Sequence, residues 1–279
     1  MLEQFQTLID SGIECSEFVV EGDRRLITAM IASPPAAKLS PNPALLLTIG
    51  GQNTHLVPPN DLPAKYFLNR GHRVVSFEIP LETAVENALK MDTNPAGRIY
   101  NLGIELMRDQ WLSGSDPFED FIKDAKAVID ECLKNNWAHR QRIVVTGISR
   151  FAYMAFRLMA ADDRLNIGGG FAPVTDWRNL SEFANYRDRQ DVADLRLSLL
   201  AEKLAGKKIC MAIGNHDERV GTASCCEFFL DLDRENRKLG YGGSLVDFFC
   251  TPDPHHTCGD EWYERCLKIL LDWVTSDKG

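Results

Sequence analysis

Residues 16–33 (SEFVVEGDRRLITAMIAS) alternate apolar and polar positions on either side of Gly22-Asp23, the pattern of two antiparallel strands joined by a tight turn. The first dozen residues ahead of this hairpin read as a short helix, and the proline-rich stretch behind it, PPAAKLSPNP, reads as a loop. From residue 44 the alternation gives way to continuous apolar runs. ALLLTI at 44–49, ending in Gly50-Gly51, suits a strand covered on both faces, as in a parallel sheet. A helix over 62–70 stops at Gly71, and RVVSFEI at 73–79 is the next strand.

Asp116-Pro117-Phe118-Glu119 has the chemistry of a helix start, with Asp as N-cap, Pro at the first position and Glu at the third. The helix it opens carries Phe121, Ala125, Val128, Ile129 and Cys132 on one stripe. Further strands are expected over 142–146, 165–171, 208–213 and 244–250, and helices over 151–160, 222–238 and 261–274. In the last helix Trp262, Cys266, Ile269, Leu270 and Trp273 share a face. Strands alternating with helices imply an α/β domain with a mostly parallel, doubly wound sheet, to which the leading hairpin adds an antiparallel edge. Residues 174–206 interrupt the alternation with a polar, helix-prone stretch, expected as a short helical cap inside a single domain over 1–279.

Composition narrows the function classes. The chain has 279 residues, 44% of them apolar, enough for one large α/β core. With 31 basic against 40 acidic residues its net charge is −9, which argues against a nucleic-acid binder, because phosphate neutralisation needs excess Lys and Arg. No basic run points to a membrane surface, and no apolar run is long enough to span a bilayer. MLEQFQTLIDSG lacks the charged and apolar regions of a signal peptide, so a cytoplasmic protein with its eight cysteines reduced is expected.

In a doubly wound sheet, sites form beyond the C-terminal ends of strands, so the residues there carry the candidate chemistry. RIVVT runs into Gly147-Ile148-Ser149-Arg150-Phe151 and then directly into a helix. A serine on such a strand-to-helix turn has the placement of a nucleophile, with the helix N-terminus favouring a developing oxyanion. The alternative is a plain helix N-cap. The usual motif is G-x-S-x-G, and here Phe151 stands at the second glycine. KKICMAI ends in Gly214-Asn215-His216-Asp217, which puts Asp217 where the acid of a Ser…Asp…His order falls; an ordinary turn is the competing reading. SLVDFFC leads to His255-His256-Thr257-Cys258. Either histidine suits a general base, with His256 favoured by its place before the final helix. His255, His256, Cys258 and Asp260 could alternatively hold a metal, but no second cluster with zinc spacing accompanies them, and no metal or cofactor is expected. Oxyanion donors are expected from the N–H of Arg150 and from Gly51 or Gln52. Gly168-Gly169-Gly170 lacks the spacing of a phosphate loop and reads as a strand packed closely by helices.

GISRFAYMAFRLMAADDRLNIGGGFAPVTDWRNLSEF resembles the elbow and following strand of bacterial α/β hydrolases related to the dienelactone-hydrolase and prolyl-oligopeptidase-like esterases. Those relatives carry G-x-S-R-G-G-[FY] and a later A-P-V-T-D. IGNHDERV resembles their acid segment, and the PHHT region resembles their P-G-H-x-T base segment, which places His256 on the catalytic histidine and His255 where a glycine stands. The resemblance covers roughly residues 20–275. It implies the α/β-hydrolase fold and hydrolysis of a small-molecule ester or related acyl bond by a Ser149-His256-Asp217 triad without a cofactor. The chain departs from the pattern at Phe151 and Ala152, where the family has Gly-Gly.

Phe151, Trp177 and Phe183 are the candidates for an apolar acyl pocket, with packing as the alternative for the two cap residues. The Arg150 side chain could bind an anionic part of the substrate or serve as an ion-paired arginine. Two readings compete with an esterase. One is a non-catalytic relative that binds a small ligand, which Phe151 favours. The other is a short-peptide hydrolase, weakened because no propeller-like domain precedes the region.

Overall fold

Strands β1 (Glu14–Glu21) and β2 (Leu26–Ser33) form the expected antiparallel hairpin, turning where the Gly22 N–H donates to the Arg25 carbonyl at 2.9 Å. The structure is a computed structural model that describes residues 12–50, 61–79, 99–241 and 245–276. The helix expected over the first dozen residues therefore falls outside the described residues.

Six further strands follow: β3 (Leu45–Ile49), β4 (Arg73–Phe77), β5 (Ile143–Ile148), β6 (Ile167–Phe171), β7 (Lys208–Gly214) and β8 (Val246–Thr251). They form one eight-stranded sheet in the order β1-β2-β4-β3-β5-β6-β7-β8. β2 pairs antiparallel with β4, and the strands from β4 to β8 are parallel to their neighbours. This is the α/β-hydrolase fold that the sequence implies. The chain passes from β3 to β4 on one side and returns with β5 on the other. That reversal opens a crevice at the C-terminal ends of β3 and β5.

All five residues of β3 are buried, and they alternate between two cores. Leu45, Leu47 and Ile49 face one layer, and Leu46, with Ala44 before it, faces the other. On the second face lie helices α1 (Leu62–Leu68) and α6 (Gly259–Ser276), with Phe67, Cys266, Leu267 and Leu270 in the core. On the first face lie α2 (Ile99–Leu112), α3 (Pro117–Lys134), α4 (Arg150–Ala161) and α5 (Thr222–Lys238). In α3 the Asp116 carboxylate accepts the Phe118 N–H at 2.8 Å, and the whole apolar stripe is buried. Helix α2 is not announced by the hydrophobic pattern. Asn101 and Gly103 are weak helix formers, and the helix is held instead by burial of Ile104 and Met107.

The glycine run of β6 has a steric cause. A Cβ on Gly169 would sit 2.6 Å from Leu270 of α6, and one on Gly170 would sit 2.6 Å from the Phe156 ring of α4. Helices press on the strand from both faces, as expected. Residues 174–206 form short helical segments of one or two turns, among them Trp177–Asn179, Ser181–Tyr186 and Gln190–Ala193. Their apolar side chains, including Trp177, Phe183 and Leu197, join the core cluster of the first face.

Candidate active site

Strand β5 delivers Ser149 onto a sharp turn. Gly147 is the residue that allows it: a Cβ there would overlap the Phe151 backbone. Ser149 itself adopts φ 56° and ψ −123°, outside the regions that a non-glycine residue occupies freely. Strain of this kind costs on the order of 1–3 kcal/mol and is held by the surroundings. Those surroundings are hydrogen bonds on both sides of the residue. The Ser149 N–H donates to the Phe171 carbonyl at 2.8 Å, and the Ser149 carbonyl accepts from Val174 N at 3.1 Å and Tyr153 N at 3.3 Å. No side-chain capping bond is made by Ser149. Its hydroxyl is thus available for a bond outside the helix that it precedes.

That bond is to His256. The Ser149 Oγ lies 3.0 Å from His256 Nε2, and His256 Nδ1 lies 2.8 Å from Asp217 Oδ2. A carboxylate only accepts, so Nδ1 carries the proton toward Asp217, and Nε2 presents its lone pair to the serine hydroxyl. The Asp217 side chain is fully buried, whereas the imidazole is about one-third exposed. A buried carboxylate needs compensation. Asp217 Oδ1 accepts the backbone N–H groups of Arg219 at 3.0 Å and Val220 at 3.1 Å. Thr222 closes the same loop: its Oγ1 accepts the Asp217 N–H at 3.1 Å and donates to the Gly214 carbonyl at 2.6 Å. His255, by contrast, is exposed, and its carbonyl accepts from Thr257 N at 2.7 Å.

The other candidates divide. Arg150 is the first residue of α4, where helix N–H groups face an acceptor outside the helix. Its guanidinium is buried and lies 4.4 Å from the centre of the Phe151 ring. Phe151, at 5% exposure, belongs to the core of the first face. The packing problem posed by phenylalanine at a glycine position is met by turning the ring into that core. Trp177 and Phe183 are buried too. Trp177 meets Tyr153 at 90° with ring centres 5.1 Å apart, and Phe183 at 5.5 Å. Packing, the alternative weighed for these two, is what their contacts describe. Gly51 and Gln52 lie outside the described residues. The residues weighed as metal ligands do not converge, and among the described residues no group of three His, Cys, Asp or Glu side chains could hold a metal ion.

Three features of the site are not apparent in the sequence. Ile148 is 42% exposed beside Ser149, an apolar side chain at the mouth of the turn. Thr222 braces the acid loop. Arg219 makes a two-pronged pair with Glu182, at 2.7 and 2.6 Å, and this ties the acid loop to the 181–186 segment. Arg219 stands inside the acid motif, but its partner is 37 residues away. Only the fold brings the two together.

A model of the prolyl oligopeptidase family matches residues 107–276, a span that includes all three residues of the hydrogen-bonded chain. No curated protein matches the sequence. Solved structures share the fold at low identity. Puromycin hydrolase matches at 20% identity and TM-score 0.66, over 94% of this chain and 39% of that one. The acylaminoacyl peptidase of Pyrococcus horikoshii matches at 12% identity and TM-score 0.66, over 97% of this chain and 43% of that one. A cold-adapted esterase from an Arctic intertidal metagenomic library matches at 18% identity and TM-score 0.58, over 95% and 92% of the two chains. The chain thus spans about two-fifths of the length of the first two.

Proposed function

The chain belongs to the prolyl oligopeptidase family of serine hydrolases, and from that premise we propose that it cleaves a carboxylic ester or related acyl bond of a small molecule through Ser149, His256 and Asp217. The reading rests on one observation: His256 is hydrogen-bonded to the Ser149 hydroxyl on one side and to the buried Asp217 carboxylate on the other. In the proposed cycle His256 Nε2 takes the Ser149 proton as Oγ bonds to the acyl carbon. The oxyanion is received by the Arg150 N–H and, on the sequence motif, by Gly51 or Gln52. The imidazolium then returns its proton to the departing alcohol, leaving an acyl-serine. Water, deprotonated by the same imidazole, releases the acid and restores the hydroxyl. Asp217 stays ionised and holds the imidazole in the required tautomer.

Residues 174–206 cap the site in this reading, and Ile148 offers an apolar contact to the acyl group. Each of the eight cysteines is a free thiol in the structure. Among the described residues no helix is long and apolar enough to cross a membrane. Hydrolysis of short peptides is a second reading, and it is supported by the peptidase among the solved structures of the same fold.

A fluorophosphonate probe tests the proposal. The wild type takes up one label per chain, and Ser149→Ala takes up none. A folded wild type that resists labelling would point instead to a ligand-binding relative without catalysis. Parallel assays with short-chain acyl esters, lactones and aminoacyl amides then separate the ester and peptide readings.

A further inference from the structure

At the end of the sheet opposite Ser149, the N-terminal ends of β3, β4 and β5 border a cavity of about 530 Å³. Its lining includes Arg73, Arg142, His139, Asn42, Gln141 and Trp137. The topology sets the two arginines. Leu45 of β3 pairs with Arg73 on one side and with Ile143, next to Arg142, on the other. The guanidinium-bearing residues are thus two strand spacings apart, about 10 Å between backbones, and they bracket the start of the central strand.

Among the described residues, the cavity has no acidic lining. None of the described lining residues carries a carboxylate, although the chain as a whole carries nine excess negative charges. Among the described residues, each guanidinium donates one hydrogen bond to the backbone. Arg73 Nη1 donates to the Trp137 carbonyl at 3.1 Å, and Arg142 Nη1 donates to the Asn42 carbonyl at 3.2 Å. An arginine has five N–H donors, so most of the donor capacity of the pair is not used by described protein acceptors. Burial lowers the pKa of Arg73, with no carboxylate offsetting it. The neighbouring His72 is also held below its ordinary value, first by burial and then by the charge of Arg142. Its Nδ1 accepts the Ala44 N–H at 3.1 Å, so that nitrogen carries no proton. Amide side chains add neutral donors, and the half-buried Trp137 supplies one apolar wall.

We propose that this cavity is a binding site for a phosphate-class oxyanion, held between the Arg73 and Arg142 guanidinium groups. A tetrahedral dianion suits two guanidinium forks better than a monovalent halide, because each fork can present two parallel N–H groups to it. The site stands apart from the hydrolytic chemistry. β5 is six residues long, so about 20 Å of strand separates it from Ser149. The site therefore holds or fails independently of the proposed function.

Calorimetric titration of the full chain with inorganic phosphate, at ionic strength fixed with sodium chloride, tests it. The expected result is saturable one-to-one binding that weakens about tenfold or more in Arg142→Gln, the loss expected for a charge-assisted contact. Arg73→Gln should behave alike. If that variant does not fold, Arg142→Gln, whose side chain is half-buried at the surface, carries the test alone. Phenyl phosphate distinguishes the sources of the anion. Tighter binding than inorganic phosphate means that Trp137 receives an organic phosphoester, and equal binding means free phosphate. Absence of saturable heat, or unchanged affinity in Arg142→Gln, overturns the proposal. Hydrolytic activity of Arg142→Gln should stay at the wild-type level.

Discussion

Ser149 combines a strained backbone with a hydroxyl bonded to His256, and its two neighbours in the motif do different work. Gly147 lets the Phe151 backbone cross over it. Phe151 fills space in the core instead of lining the turn. Phe151→Ala is therefore expected to lower stability by about 3 kcal/mol, as for other buried aromatics, measured by denaturant unfolding. A phenylalanine that touched substrate would instead change KM with little loss of stability. The two adjacent histidines separate just as cleanly. His256→Ala should reduce kcat by about 10⁴–10⁶-fold, the scale seen when a triad base is removed. His255→Ala, which deletes an exposed imidazole, should leave kcat within a few-fold. Equal losses in the two variants would remove the basis for assigning His256 as the base.

At the level of elements, the site depends on how loops from separate strands are fastened to one another. The turn after β7 carries Asp217, and its hold on the remainder of the fold runs through Arg219 and Glu182. The Glu182 side chain is only 4% exposed. Burial works against its ionised form, but Arg219, a backbone N–H and the Ser181 hydroxyl together hold the carboxyl below its usual range. The Arg108 guanidinium fixes the same residue from α2, donating to the Glu182 carbonyl at 3.1 Å. Glu182→Gln keeps the size but weakens the clamp. It is expected to cost about 1–3 kcal/mol, less than a fully buried pair because Arg219 is partly in solvent. It should also lower kcat more than it raises KM, since the acid loop holds the imidazole. A lower Tm with unchanged kcat would mean that the clamp is structural only.

For the whole molecule, the sheet has two ends with different chemistry. The C-terminal ends gather serine, histidine and aspartate. The N-terminal ends gather arginines around His72. That buried imidazole links folding to pH. Its folded pKa lies below the unfolded value near 6.5. The unfolded chain therefore binds a proton that the folded chain resists, so the stabilisation is complete above about pH 6.5 and is lost as pH falls from there toward the depressed folded value. Thermal unfolding at pH 7.5, 6.5 and 5.5 should show His72→Gln losing less Tm on acidification than the wild type does. Parallel slopes for the two proteins would assign the acid sensitivity elsewhere.

The eight strands and five of the six labelled helices were legible in the sequence, because apolar periodicity is a local property and each of them is buried on a definable face. The sequence by itself also determined Ser149, Asp217 and His256 as candidates, because strand-end placement and chain order can be read without coordinates. Periodicity could not choose between His255 and His256; placement before the final helix and the family resemblance both leaned to the latter. The fold brings His256 against both partners and leaves His255 in solvent. Helix α2 escaped notice because its stability comes from tertiary burial and not from propensity. Trp177 and Phe183 were legible as apolar residues near the site, but an apolar residue can line a pocket or fill a core, and only packing distinguishes the two. The Glu182–Arg219 clamp and the paired Arg73 and Arg142 were invisible for a related reason. Their partners are far apart in the chain, and charge becomes chemistry only when the fold sets the distance and removes the water.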